Sequence, residues 1–182
     1  MAKRAAVKRR AEKQGEDVSR QDELSHEERM ANYSEVVGKA ELSAVRLIGS
    51  TFEVRPSFFE TEEERLEFHY EVNPTDIQFD SEEGWGAIFM QCVAGARLEN
   101  MDLVLCSANY LVAYGGMVDC EREATEAFLR KVGRFTCYPY FRSLFAMLDA
   151  NAGTSLPTLP VLKEPVAGKK RAAKVPKGEP SS

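Results

Sequence analysis

The sequence predicts an α+β fold, a four-stranded antiparallel sheet followed by C-terminal helices, and three observations predict it. Residues 66–72, LEFHYEV, alternate strictly, with Leu66, Phe68, Tyr70 and Val72 on one face and Glu67, His69 and Glu71 on the other. A period of two marks a strand with one wet face. Residues 85–98 put Ile88, Met90 and Cys92 opposite Phe89 and Val93, so that segment is apolar on both faces and needs a neighbour on each. After Gly115-Gly116 the apolar period lengthens, and Phe141, Leu144, Phe145 and Leu148 recur at helical spacing.

Each element follows in order. Residues 40–55, AELSAVRLIGSTFEVR, are rich in β-branched and apolar side chains, and Pro56 closes them as a first strand. The second strand is 66–72, with Asn73-Pro74 as an interruption and Ile77 and Phe79 continuing it after a bulge. Glu82-Glu83-Gly84 turns into the third strand, Trp85–Leu98. Glu99-Asn100 turns into the fourth, Met101–Tyr114. Short links favour an antiparallel meander. Asp119 is placed to cap a helix carrying Glu121 and Glu123 in its first turn, with Gly133 as its C-cap. A second helix is expected to open at Tyr138-Pro139 and to stop at Asn151 and Gly153. Leu156-Pro157-Thr158-Leu159-Pro160-Val161-Leu162 must be extended, because its prolines forbid helix.

Charge divides the 182 residues into three. Residues 33–162 carry 20 Asp and Glu against 10 Lys and Arg, and they hold all 17 aromatic residues. The net charge of −5 conceals that acidic body. Residues 1–13 hold 6 bases and residues 163–182 another 6, without aromatics. The expected organisation is a charged N-terminal extension over 1–32, in which 16–30 can form a solvated helix, a folded domain over 33–162, and a basic tail over 163–182. Clustered bases attract phosphate. An acidic body argues against a dedicated nucleic-acid domain, so nucleic acid is not the expected partner.

Several function classes lose support. No stretch approaches the length of a membrane span, so no membrane insertion is expected. The basic start has no apolar run behind it, which argues against a secretory signal and for a cytoplasmic location. Cys92, Cys106, Cys120 and Cys137 form no CxxC pair and no zinc spacing. They are expected as four reduced thiols acting as small apolar residues. With His26 and His69 the only histidines, no metal site is expected. Phosphate-binding glycine loops and the GxSxG elbow are absent. His69 is expected as a solvent-facing strand residue and Glu60–Glu64 as a solvated loop. No enzyme and no cofactor is expected.

The last third carries a resemblance. Gly133-Arg134-Phe135, then Tyr138-Pro139-Tyr140-Phe141-Arg142, a helix, and Leu156-Pro157-Thr158-Leu159 resemble the C-terminal region of SecB-type chaperones. With four strands upstream, the similarity covers 40–162, about two-thirds of the chain. It implies protomers that pair and then stack through their helices into a homotetramer, a dimer of dimers. It also implies an apolar groove that holds unfolded protein clients without ATP. Members serving protein export end in a further amphipathic helix and present acidic residues on the outer sheet to the translocation motor ATPase. Here residues 163–182, KEPVAGKKRAAKVPKGEPSS, cannot make an apolar helix face. Of the three corresponding positions only Glu53 is acidic, the others being Gly49 and Ser107. The similarity is therefore greater to SecB-like chaperones associated with toxin–antitoxin pairs, which guard an aggregation-prone antitoxin. A general export chaperone is the alternative, and a nucleic-acid-binding regulator a distant one.

Physical reasoning supports such a holdase. Exposed apolar surface marks an interaction site, and an acidic body keeps that surface soluble by repulsion. Most aromatics, Phe68 and Phe89 among them, are expected in the core. Clients are expected against Tyr140, Phe141, Leu144, Phe145, Leu156 and Leu159, with Trp85 at the rim.

Overall fold

The computed structural model describes residues 25–163. The extremes of the basic tails, 1–24 and 164–182, lie outside the described residues.

Helix α1, His26–Lys39, starts from a capping box in which Ser25 and Glu28 exchange side-chain-to-backbone hydrogen bonds. It crosses residues 32 and 33, where the sequence analysis began the folded domain, and anchors itself through Val36, which is fully buried. Strand β1 covers Glu41–Val54. A connection holding two short 3-10 turns, Pro56–Glu60 and Glu63–Arg65, leads to β2, Glu67–Asp80. Strands β3, Trp85–Leu98, and β4, Met101–Gly115, follow through tight turns. The four strand positions agree with the sequence reading, including the register shift between Pro74 and Asp76 in β2.

The strand order does not. The sheet runs β1-β4-β3-β2, all antiparallel. Only β2, β3 and β4 form a meander. The long Arg55–Leu66 connection carries the chain across the end of the sheet, so β1 pairs with β4 in a Greek-key arrangement. Both β1 and β2 are therefore edges.

One face of the sheet carries helix α2, Arg122–Ala152. Beneath it lie Ile88, Met90, Cys92, Ala94 and Ala96 of β3, and Val104, Cys106, Ala108, Tyr110 and Val112 of β4, all buried. The expectation of two helices is corrected: the helix is continuous through Gly133 and Pro139. Gly133 is no C-cap. A Cβ there would come within 2.6 Å of the Ile88 Cγ2, so glycine lets the helix axis approach the sheet. Pro139 faces solvent, which accommodates its ring although the backbone loses one donor. The N-cap is Glu121, whose carboxylate accepts from the Glu123 and Ala124 amides; Asp119 sits earlier, in a left-handed turn with φ 57°. Gly153 at φ 67° ends the helix.

Candidate client-binding groove

After Gly153 the chain turns back along α2. Asp149, in the last turn of the helix, accepts hydrogen bonds from the Thr154 hydroxyl and the Leu156 amide. One turn before the Phe141–Phe145 stretch, the Tyr138 hydroxyl donates to the Pro160 carbonyl at 2.6 Å. Burial pushes the Tyr138 phenol up from its ordinary range, so the proton it donates stays in place. Two anchors thus pin the strap 154–162 to the helix. Leu156, Leu159 and Leu162 turn inward and are buried, while Pro157, Pro160 and Val161 face out. The prolines restrict φ in the strap and keep it extended.

The strap divides the apolar surface into two hollows. A cavity of about 430 Å³ lies between it and α2, floored by Phe145 and Leu156 and rimmed by Arg142 and Asp149. A cavity of about 170 Å³ lies on its other side, against Phe68 and Tyr70 of the β2 edge. Phe145 and Leu156 to Leu159 border both. The Tyr70 and Tyr138 rings meet at 6.1 Å.

Of the residues expected to hold a client, Phe145, Leu156 and Leu159 are brought together here. Tyr140 is 52% exposed on the helix, and Leu144 is half-buried against the core. Two expectations are corrected. Phe141 is fully buried and presents no surface, because the helix turns it directly onto the sheet. Trp85, 40% exposed, belongs to the opposite face of the sheet, since strand alternation sends it away from Gly86, Ile88 and the helix.

The sequence reading missed Phe68 and Tyr70 as wall residues. Both are about 40% exposed rather than core. Their shared face was legible in the alternation, but their position on an edge strand follows from the strand order alone. Phe89 is half-buried on the open face.

On the open face, Glu53, Ser107 and Gly49 do come together, Glu53 opposite Leu105, Ser107 opposite Thr51 and Gly49 opposite Asn109. Glu53 is exposed. His69 lies on the same face but is not solvent-facing as expected: only 17% of its side chain is exposed, with Nε2 3.8 Å from Asp102 Oδ1 and Nδ1 buried without a partner. Glu60–Glu64 occupies the exposed 3-10 turns, Thr61 alone being half-buried. All four cysteines are free and buried. Among the described residues no cluster of three or more metal-ligating side chains occurs, and no helix is long and apolar enough to cross a membrane.

The architecture is thus an antiparallel sheet of order β1-β4-β3-β2 under one long helix, closed by a proline-bearing strap. Among solved structures, the chain is similar to a SecB-like chaperone of Mycobacterium tuberculosis in complex with a ChAD peptide from the HigA1 antitoxin. The TM-score is 0.62 at 18% identity, and the match covers 74% of this chain and 99% of that one. No family model matches the sequence, and no curated protein does.

Proposed function

We propose that this protein is an ATP-independent holdase that keeps an aggregation-prone protein, an antitoxin, soluble until it folds with its partner. The observation that carries the reading is the pair of hollows on either side of the strap, on a fold whose solved neighbour was captured with an antitoxin peptide. Two adjoining hollows, the larger of mixed polar and apolar lining and the smaller mainly apolar, accept extended chain of many sequences, because side chains fill pockets while the backbone stays near the strap. The reading is non-catalytic. It places the protein in the cytoplasm, where antitoxins are made.

Self-association belongs to the same proposal. The unpaired edge of β1 exposes Leu42, Leu47 and Ile48 at 52%, 47% and 58%, and Val37 of α1 at 51%. An unprotected apolar edge strand is a template for a second copy. Edge pairing of two protomers, followed by stacking of two dimers, accounts for that surface.

The test is suppression of aggregation. A chemically denatured antitoxin from a neighbouring locus is diluted with and without the protein, in the absence of ATP, and light scattering is followed. Suppression at near-stoichiometric protein is expected. Suppression of secretory precursors but not of the antitoxin, with binding to the export motor through Glu53, favours the export alternative. No suppression of either overturns the holdase reading.

A further inference from the structure

Two buried thiols face each other across the helix–sheet interface. Cys92 of β3 and Cys137 of α2 are both fully buried, and their sulfurs are 3.9 Å apart. Cys137 also points its thiol at the Arg134 carbonyl, 3.6 Å away. Packing alone does not ask for sulfur here, since alanines serve at neighbouring covered positions of the same strands, Ala94, Ala96 and Ala108. The groove makes no use of the pair.

We propose that Cys92 and Cys137 are a redox pair, which a small hydroperoxide converts into an internal disulfide stapling α2 to β3. The balance is complete with hydrogen peroxide as oxidant. The Cys137 sulfur attacks one peroxide oxygen and the O–O bond breaks, leaving a sulfenic acid and releasing one water. The Cys92 sulfur then attacks the sulfenic sulfur, the S–O bond breaks and a second water leaves. The two thiols give up two electrons and two protons in all, and the peroxide is reduced to two waters.

Three features support it. The sulfurs are already in contact, and a disulfide bond of about 2.05 Å needs them to close by about 2 Å, within reach of side-chain rotation and a small helix shift. The contact polarises the pair: the hydrogen bond from Cys92 holds the Cys137 thiol below its ordinary range, while the same bond and burial push Cys92 up. Cys137 is thus the first nucleophile. Access comes from the helix itself. Pro139 has no amide proton to give to Phe135, so the turn carrying Cys137 is held by one backbone hydrogen bond fewer than its neighbours. Phe141 and Phe145 follow Cys137 at one and two turns, so the staple sits at the head of the half-helix that floors the groove.

The test uses the full chain, purified reduced and treated with hydrogen peroxide. The expected product has lost about 2 Da, keeps two of its four thiols titratable in denaturant, and yields a cross-linked peptide joining Cys92 to Cys137. Its unfolding temperature rises, and dithiothreitol removes the rise. Cys92→Ala and Cys137→Ala each abolish the product, and Cys106→Ala retains it. Four titratable thiols after treatment overturn the proposal. So does a cross-link that includes Cys106 or Cys120, or Cys137 oxidised to sulfinic acid with no cross-link. The wild-type peptide map decides the matter even if a variant fails to fold.

Discussion

The two faces of the sheet are built from the same strands and differ in what they leave open. On the covered face, β3 presents Ile88, Met90, Cys92, Ala94 and Ala96, none more than 1% exposed. Small residues dominate there, and Gly133 answers them from the helix, because α2 must come close enough to exclude water. On the open face the same strand presents Trp85, Phe89, Gln91 and Val93, larger and only partly covered. The covered face is close-packed core, where volume is the controlling quantity. The open face and the strap region carry apolar surface that no other part of the described chain covers. Stability rests on the covered face and, under the proposed function, binding rests on the strap region, so the two can be broken separately.

The largest effect is expected from Phe141→Ala. The ring is fully buried between α2 and the sheet. Its loss should cost about 3–5 kcal/mol, read as a fall in the urea midpoint with the slope unchanged. Gly133→Ala comes next. Alanine favours helix by about 1 kcal/mol, but its methyl meets Ile88 at 2.6 Å. Overpacking of about 1–3 kcal/mol should win, and the variant should unfold at lower denaturant. A stabilised Gly133→Ala would show that the helix rides higher on the sheet than described.

Tyr138→Phe removes the hydroxyl that holds Pro160. A loss of about 0.5–1.5 kcal/mol is expected, together with faster proteolysis within 154–162, since one of the two anchors is gone. Phe68→Ser with Tyr140→Ser sharpens the comparison from the other side. Both residues are exposed, so thermal stability should change little while client affinity falls by about tenfold or more, one lost apolar contact of about 1.4 kcal/mol sufficing. The smallest effect is expected from Phe89→Ser on the open face, which should leave client affinity unchanged when measured by titration against the same client. A client lost through Phe89 but not through Phe68 and Tyr140 would move the binding surface to the opposite face.

How much of this was legible in the sequence can be argued from particular residues. The apolar run 40–55 closed by Pro56, alternation at 66–72 and the turn residues at Gly84 and Asn100 located the four strands, since strand geometry and turn chemistry are local. The strap was legible for the same reason, its prolines dictating extended backbone whatever lies beside it. The split at Gly133 was not. Glycine ends helices by its freedom of backbone, and nothing in the sequence distinguishes that use from leaving room for Ile88, a residue on another strand. Asp119 and Glu121 illustrate a similar choice, both able to cap, with the left-handed turn at Asp119 selecting the later one.

The strand order was decided by tertiary structure alone, and the candidate site depends on it. Pairing β1 with β4 makes β2 an edge, which places Phe68, expected in the core, together with Tyr70 as a wall of the smaller hollow, and it sets Leu42 and Leu47 on the other free edge. Local sequence dictates which residues extend, which coil and which share a face, because those follow from backbone dihedrals and side-chain period. Which strand lies beside which is a matter of long-range closure. It is settled where the apolar faces of β3 and β4 find α2, and no window of the sequence contains both sides of that contact.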